Sequence, residues 1–153
     1  MDDRSSELIW AAYDGHTETI QMLLTAPDTD VNIQDQYGRS ALTLAAQQCH
    51  KATVQVLLAV PDLDVNIQDE DGMSALTWGA YDGHTETVQM LLSVPAIDVN
   101  IQGKRGRSAL MCATHEGHEE IAQMLLAVPG IDVNIQDQDG RSALTWAARR
   151  GHK

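Results

Sequence analysis

Phenylalanine is absent from this 153-residue chain, and tryptophan and tyrosine supply only three residues each. A single large core normally draws on several bulky aromatics, so their scarcity points to many small, similar cores instead. Basic residues are also few: 10 lysines and arginines stand against 22 acidic residues, for a formal charge of −12. Affinity for a phosphate backbone comes mainly from cationic side chains releasing counterions, so nucleic acid is excluded as an expected partner. Long apolar runs are missing, whereas a membrane helix needs about 20 such residues in succession. The first residues, Met1 to Ser6, contain neither an apolar segment nor a basic cluster, so no secretory signal and no membrane insertion are expected. With 43% apolar residues the chain can still bury a core, and its length suits one domain over 1–153.

What is present is a repeat. Val-Asn-Ile-Gln begins at Val31, Val65, Val99 and Val133, a step of 34 residues each time. Gly38, Gly72, Gly106 and Gly140 keep that step, as do Ser40, Ser74, Ser108 and Ser142, and Pro27, Pro61, Pro95 and Pro129. A fixed period of this length is the mark of a solenoid, in which each unit buries its apolar face against its neighbours.

One unit, 31–64, shows the local chemistry. Asp35-Gln36-Tyr37-Gly38 supplies a carboxylate for nearby backbone N–H groups and a glycine for positive φ, which predicts a hairpin tip. Ser40 can then cap a short helix that ends near Gln48. A second helix opens after His50, carries Val54, Leu57 and Leu58 on one stripe, and stops before Pro61. Helices of about nine residues are marginal alone, so stacking must stabilise them.

Departures from the pattern carry their own expectations. Gly15, Gly83, Gly117 and Gly151 occupy the left-handed position that ends the first helix, but the second unit has Cys49 there, at a cost of roughly 1 kcal/mol. Gly79 replaces an alanine inside a helix. Gly103 replaces the turn aspartate beside Lys104-Arg105-Gly106-Arg107, so that tip is expected to differ in geometry and charge. Residues 1–30 lack the Val-Asn-Ile-Gln segment and read as a capping repeat, with Ser6 in register with Ser40; 31–64, 65–98 and 99–132 are full repeats. Residues 133–153 form a partial repeat with a first helix only, so either further repeats follow or that helix is frayed.

Asp35-Gln-Tyr-Gly38-Arg-Ser40-Ala-Leu-Thr-Leu-Ala-Ala46, the Gly83-His84 and Gly117-His118 pairs, Leu57-Leu58 and Asp64-Val65-Asn66, recurring in register, resemble the ankyrin repeat family along essentially the whole chain. The usual Thr-Pro-Leu-His reads Ser-Ala-Leu-Thr or Ser-Ala-Leu-Met here. The resemblance implies an all-α repeat solenoid of helix-turn-helix units joined by β-hairpin-like loops, with hairpin tips and first helices facing a protein partner from the concave side. The variable positions on that face are, at the tips, Gln36, Tyr37 and Arg39; Glu70, Asp71 and Met73; Lys104, Arg105 and Arg107; and Gln138, Asp139 and Arg141. On the first helices they are Trp10, Tyr13 and Asp14; Leu44, Gln47 and Gln48; Trp78, Tyr81 and Asp82; Cys112, His115 and Glu116; and Trp146, Arg149 and Arg150. All six aromatics fall in this set, and aromatic and arginine side chains are the usual anchors of interfaces. The competing expectation is that each tryptophan only covers its own helix.

Other chemistries fit less well. His16, His50, His84, His118 and His152 recur with the repeat, but units about 8–10 Å apart cannot place two imidazoles on one zinc, so a framework role is expected. Asp98-Val-Asn100-Ile-Gln102-Gly103 lacks the glutamate that a calcium loop needs at position twelve, where Ala109 stands. Asp69 and Asp71 read as turn residues, and neither a phosphate loop nor a nucleophile motif is present. No metal, no cofactor and no catalytic residue is therefore assigned, and the chain is expected not to be an enzyme. Cys49 and Cys112, almost two repeats apart, lie beyond disulfide reach, which suits a reducing intracellular, cytoplasmic setting. Asn32, Asn66, Asn100 and Asn134 are expected to hydrogen-bond within their loops; the resemblance also makes them candidates for asparaginyl hydroxylation, with Leu24, Leu58, Leu92 and Leu126 eight residues earlier.

The expectation is a monomeric scaffold for protein–protein interaction; the alternatives are a structural spacer in a longer array and a targeting domain of a larger protein. Charge along the array is uneven. Residues 1–103 hold 16 acids and 3 bases, whereas 104–153 hold 7 bases and 6 acids.

Overall fold

The computed structural model describes residues 3–151, and within them the regular structure is helical, in pairs that follow the repeat. First helices are α1 (Asp3–Asp14), α3 (Ala41–Gln47), α5 (Ala75–Asp82), α7 (Ala109–Glu116) and α9 (Ala143–Arg150). Second helices are α2 (Thr17–Leu24), α4 (Lys51–Leu58), α6 (Thr85–Leu92) and α8 (Glu119–Leu126). First helices pack against first helices along the array, and second helices form a parallel outer row.

The first helices start where serine can cap them. The hydroxyls of Ser40, Ser74, Ser108 and Ser142 accept from the backbone N–H three residues on, at 3.2, 3.3, 3.3 and 3.4 Å. Ser6 does not join this series: α1 begins at Asp3, so Ser6 lies inside a longer helix. Gly15, Gly83, Gly117 and Gly151 end their helices with φ of 73–79°, and Cys49 adopts the same left-handed conformation at 61°. A non-glycine residue held there carries Cβ strain, as its place in the repeat predicts.

Apolar contact is spread over the units. Leu42, Leu76 and Leu110 of the first helices, and Val54, Leu57, Val88, Leu91, Ile121 and Leu125 of the second, are buried in one continuous core. Alanines such as Ala45, Ala46, Ala80 and Ala113 let the first helices approach closely. At the C-terminal end this pattern is left open. Leu144, equivalent to Leu110, is 78% exposed, and Val133, equivalent to Val99, is 44% exposed, because no second helix or further unit packs on α9 among the described residues.

Polar ladders join the units at three levels. Asn32, Asn66 and Asn100 each donate from Nδ2 to a carbonyl in the next loop, at Asp62, Ala96 and Gly130, and accept from the N–H of Asp64, Asp98 and Asp132. The asparagines thus bridge successive loops instead of closing their own, because each side chain extends towards the following unit. Nε2 of His50, His84 and His118 lies 2.9–3.1 Å from the carbonyls of Tyr13, Gln47 and Tyr81 in the preceding unit. That is the framework role expected for the histidines, met by these three; the His16 ring makes no such bond among the described residues, and His152 lies outside them. At the tips, Gln34, Gln68 and Gln102 donate to Gln68, Gln102 and Gln136, and Glu70, Lys104 and Gln138 donate from backbone N–H to the preceding tip.

The tips themselves are tighter than hairpins. The described residues contain one isolated antiparallel bridge, Gln34 to Ser40, and each tip is closed by a backbone bond such as Asp35 N–H to Arg39 O. Gly103 was expected to change the fourth tip's geometry, yet its N–H donates to Arg107 O and Gly106 N–H donates to Gly103 O, matching the other tips. The backbone is fixed by Gly106 and by contact with the third tip, where a Cβ on Gly103 would stand 3.1 Å from Asp71 O; only the charge differs.

Replacing Cys49 with glycine should raise unfolding free energy by about 1 kcal/mol in denaturant titration. Gly83→Ala should lower it by about 2 kcal/mol, since its Cβ would stand 2.6 Å from the His118 ring in addition to the backbone strain. Leu76→Ala should cost about 2–5 kcal/mol, whereas the same change at Leu144 should cost about 0.5 kcal/mol or less.

Candidate protein-binding face

The first helices and the tips share one side of the array, and the capped start of each helix sets which side chains reach it. In the first unit Trp10 is 65% exposed and meets Tyr13 edge to face, with ring centroids 6.2 Å apart at 83°. The third unit repeats the arrangement with Trp78 and Tyr81, at 6.1 Å and 86°. Trp10, Tyr13, Tyr37 and Leu44 line a cavity of about 500 Å³ between the first helix and the second tip. Asp14, Gln36, Gln48, Glu70, Asp71, Asp82, Lys104, Arg105, Gln138, Asp139, Arg149 and Arg150 are exposed, while Arg39, Gln47, Met73, Trp78, Arg107, His115, Glu116 and Arg141 are partly covered.

Three residues assigned to this face from the sequence do not reach it. Cys112 is buried beneath the fourth unit, where burial pushes its thiol up to about 12, out of range of thiolate chemistry. Trp146 is only 6% exposed. Its indole N–H donates to Asp137 at 3.1 Å, the guanidinium of Arg141 stacks 4.3 Å from the ring centroid, Arg107 lies 5.0 Å away, and His115 meets its edge at 4.5 Å. Arg149 stands 5.9 Å from the same centroid, and this enclosure by three arginines and a histidine converts a prospective anchor into a core residue. Leu44, at the same register, is also buried, at 1% exposure.

The acceptors that hold these tryptophans were not singled out in the sequence as more than turn residues. Asp69 accepts from Trp78 Nε1 at 2.8 Å, just as Asp137 accepts from Trp146, and in both units the aspartate precedes the tryptophan by nine residues. That spacing is a signal the sequence does contain. The same carboxylates also cap the turn: Asp35, Asp69 and Asp137 each accept from the N–H groups two and four residues later. Where Gly103 stands this carboxylate is missing, so Arg107 turns to the Trp146 ring.

The electrostatics follow from these contacts. Burial alone would push the Asp137 carboxyl up, but donors from Arg141, Asp139 and the Trp146 indole outweigh it and hold the group below the usual carboxylate range. Asp35 is shifted the same way: desolvation is outweighed by bonds from Arg39 and Tyr37. Asp82 is instead pushed up, chiefly by desolvation and also by the Glu116 charge, against the opposing pull of His84 and His118. Among the described residues no group of three histidine, cysteine, aspartate or glutamate side chains is arranged to hold a metal. No helix among them is long and apolar enough to cross a membrane.

With the helix pairs, capped tips and inter-unit ladders in place, comparison with known families gives one assignment. The family described as ankyrin repeats (3 copies) matches residues 8–103 and 96–153, and the chain belongs to it. No curated protein matches the chain. Ankyrin repeats are generally protein–protein interaction modules and are typically not catalytic.

Trp146→Ala should cost about 3–5 kcal/mol of stability by calorimetry, and Trp10→Ala about 0.5 kcal/mol or less, since only the first is buried. Because the carboxyls of Asp35 and Asp137 are held low in the folded state, their contribution is complete above their ordinary value of 3.8 and is lost as the pH falls through the folded-state values. Urea titrations at pH 6 and pH 2.5 should therefore show a smaller acid-induced loss in an Asp35→Asn, Asp137→Asn double variant than in the parent.

Proposed function

We propose that the chain is a non-enzymatic binding module that grips a protein partner across its first helices and tips. The observation that carries this reading is the exposure of Trp10, Tyr13, Tyr37 and Tyr81 on one face, when the core is filled almost wholly by aliphatic side chains. Exposed aromatics offer large apolar area at low entropic cost, which is why they anchor interfaces. Around them the charge changes sign, from Asp14, Glu70, Asp71 and Asp82 to Lys104, Arg105, Arg149 and Arg150. A partner with a basic portion over units one to three and an acidic portion over units four and five complements this gradient. The two free thiols are compatible with a reducing intracellular compartment.

Affinity capture with the parent chain and with a Tyr13→Ala, Tyr81→Ala variant tests the reading. The variant should stay folded by circular dichroism and lose partner affinity by about 10- to 100-fold, or about 1–3 kcal/mol. Binding should also weaken as salt is raised from 50 to 300 mM. Equal recovery of the same partner by both proteins would place the interface elsewhere.

A further inference from the structure

The first and third units share more than the repeat framework. Trp10-Ala-Ala-Tyr13-Asp14-Gly-His16-Thr-Glu-Thr19 and Trp78-Gly-Ala-Tyr81-Asp82-Gly-His84-Thr-Glu-Thr87 differ at one position, whereas the intervening unit reads Leu44-Ala-Ala-Gln47-Gln48-Cys49. Beneath the 34-residue period lies a second one of 68, and it concerns the residues that face outward. The two Trp–Tyr pairs have the same edge-to-face geometry, each followed by an exposed aspartate at the end of its helix. Neither Asp14 nor Asp82 forms an ion pair with a lysine or arginine among the described residues. Trp10 also walls a second cavity, of about 390 Å³, whose lining includes Asp3, Glu7 and Asp14 and no basic side chain except His16.

Aromatic faces attract cations, and a carboxylate within the same turn reinforces the attraction. The middle unit offers only the neutral Gln47 and Gln48 at these positions, and the fifth unit reverses them with Arg149 and Arg150 beside a buried Trp146. Resting on the binding-face reading above, we infer that this face carries two related cation subsites, Trp10–Tyr13–Asp14 and Trp78–Tyr81–Asp82, the first more open than the second, that together take an extended polypeptide bearing two arginine or lysine side chains. Packed helices lie about 8–10 Å apart, so two steps separate the subsites by about 16–20 Å. At about 3.3 Å per residue an extended strand covers that span in five or six residues. Side chains alternate between the two faces of an extended strand, so the two basic side chains sit six positions apart, and binding through the second is intramolecular once the first is seated.

The test uses acetylated, amidated serine/threonine peptides carrying either one arginine or two arginines separated by four, six or eight positions, each pair on one face of an extended strand, titrated against the full chain with calorimetry. The six-position peptide should bind at least tenfold more tightly than the one-arginine peptide and more tightly than the four- and eight-position peptides. Tyr13→Ala or Asp14→Asn should remove that advantage and leave the one-arginine affinity within about twofold, because the Trp78 subsite persists; Tyr81→Ala should act in the mirror sense. An affinity that ignores spacing, or a second arginine that adds nothing, overturns the twin subsites. If the peptides fail in that way while a captured partner still depends on Tyr13 and Tyr81, this inference falls and the binding-face reading stands. If the partner is indifferent to both tyrosines, that reading falls as well.

Discussion

Every unit in this molecule lacks a complete core, and the rest of the structure follows from how that deficit is met. A helix of seven or eight residues cannot hold its own conformation in water. Each is stabilised by leucine, valine and alanine contacts with the unit before and the unit after, while asparagine, histidine and glutamine side chains tie the loops at the same step. Because the polar bonds recur at constant sequence separation, the units stack in one register. The apolar contacts alone would permit sliding; the directional hydrogen bonds do not.

Most of this order was legible in the sequence because it rests on short-range chemistry. Ser40 caps, Gly83 turns and Pro61 stops, and these signals need no tertiary knowledge. The histidine ladder was also readable, since units spaced as packed helices rule out shared metal. What could not be read was the direction of side chains across unit boundaries. Asn32 could be assigned to a hydrogen bond but not to the loop of the following unit, and Ser6 matched the cap register although a longer α1 absorbs it. Gly103 changed the composition of a tip without moving its backbone, because neighbouring tips hold it in place.

The three tryptophans show how far a shared register can mislead about the face. Trp10, Trp78 and Trp146 occupy one column, yet their surroundings range from open solvent to enclosure. The Trp10 indole N–H has no acceptor among the described residues; Trp78 is drawn down by Asp69; Trp146 is drawn down by Asp137 and then covered by arginines. The decisive residues lie nine positions upstream and in neighbouring units. Trp78 and Trp146 share the carboxylate acceptor, so what separates a partly open anchor from a core residue is the cover of arginines and an imidazole over Trp146 alone.

Alanines are concentrated in the first-helix row, whose leucines share the core with the leucines, valines and isoleucines of the second-helix row. Gly79 is the thinnest point of the inner row: a Cβ there would stand 3.1 Å from Val88 Cγ2. It lies between Trp78 and Ala80 in the unit that carries the second aromatic pair. A side chain added at this buried position would press on the second helix of its own unit, so the pose of α5, and with it the tilt of the aromatic pair on its outer side, is set from inside the molecule without altering any exposed group.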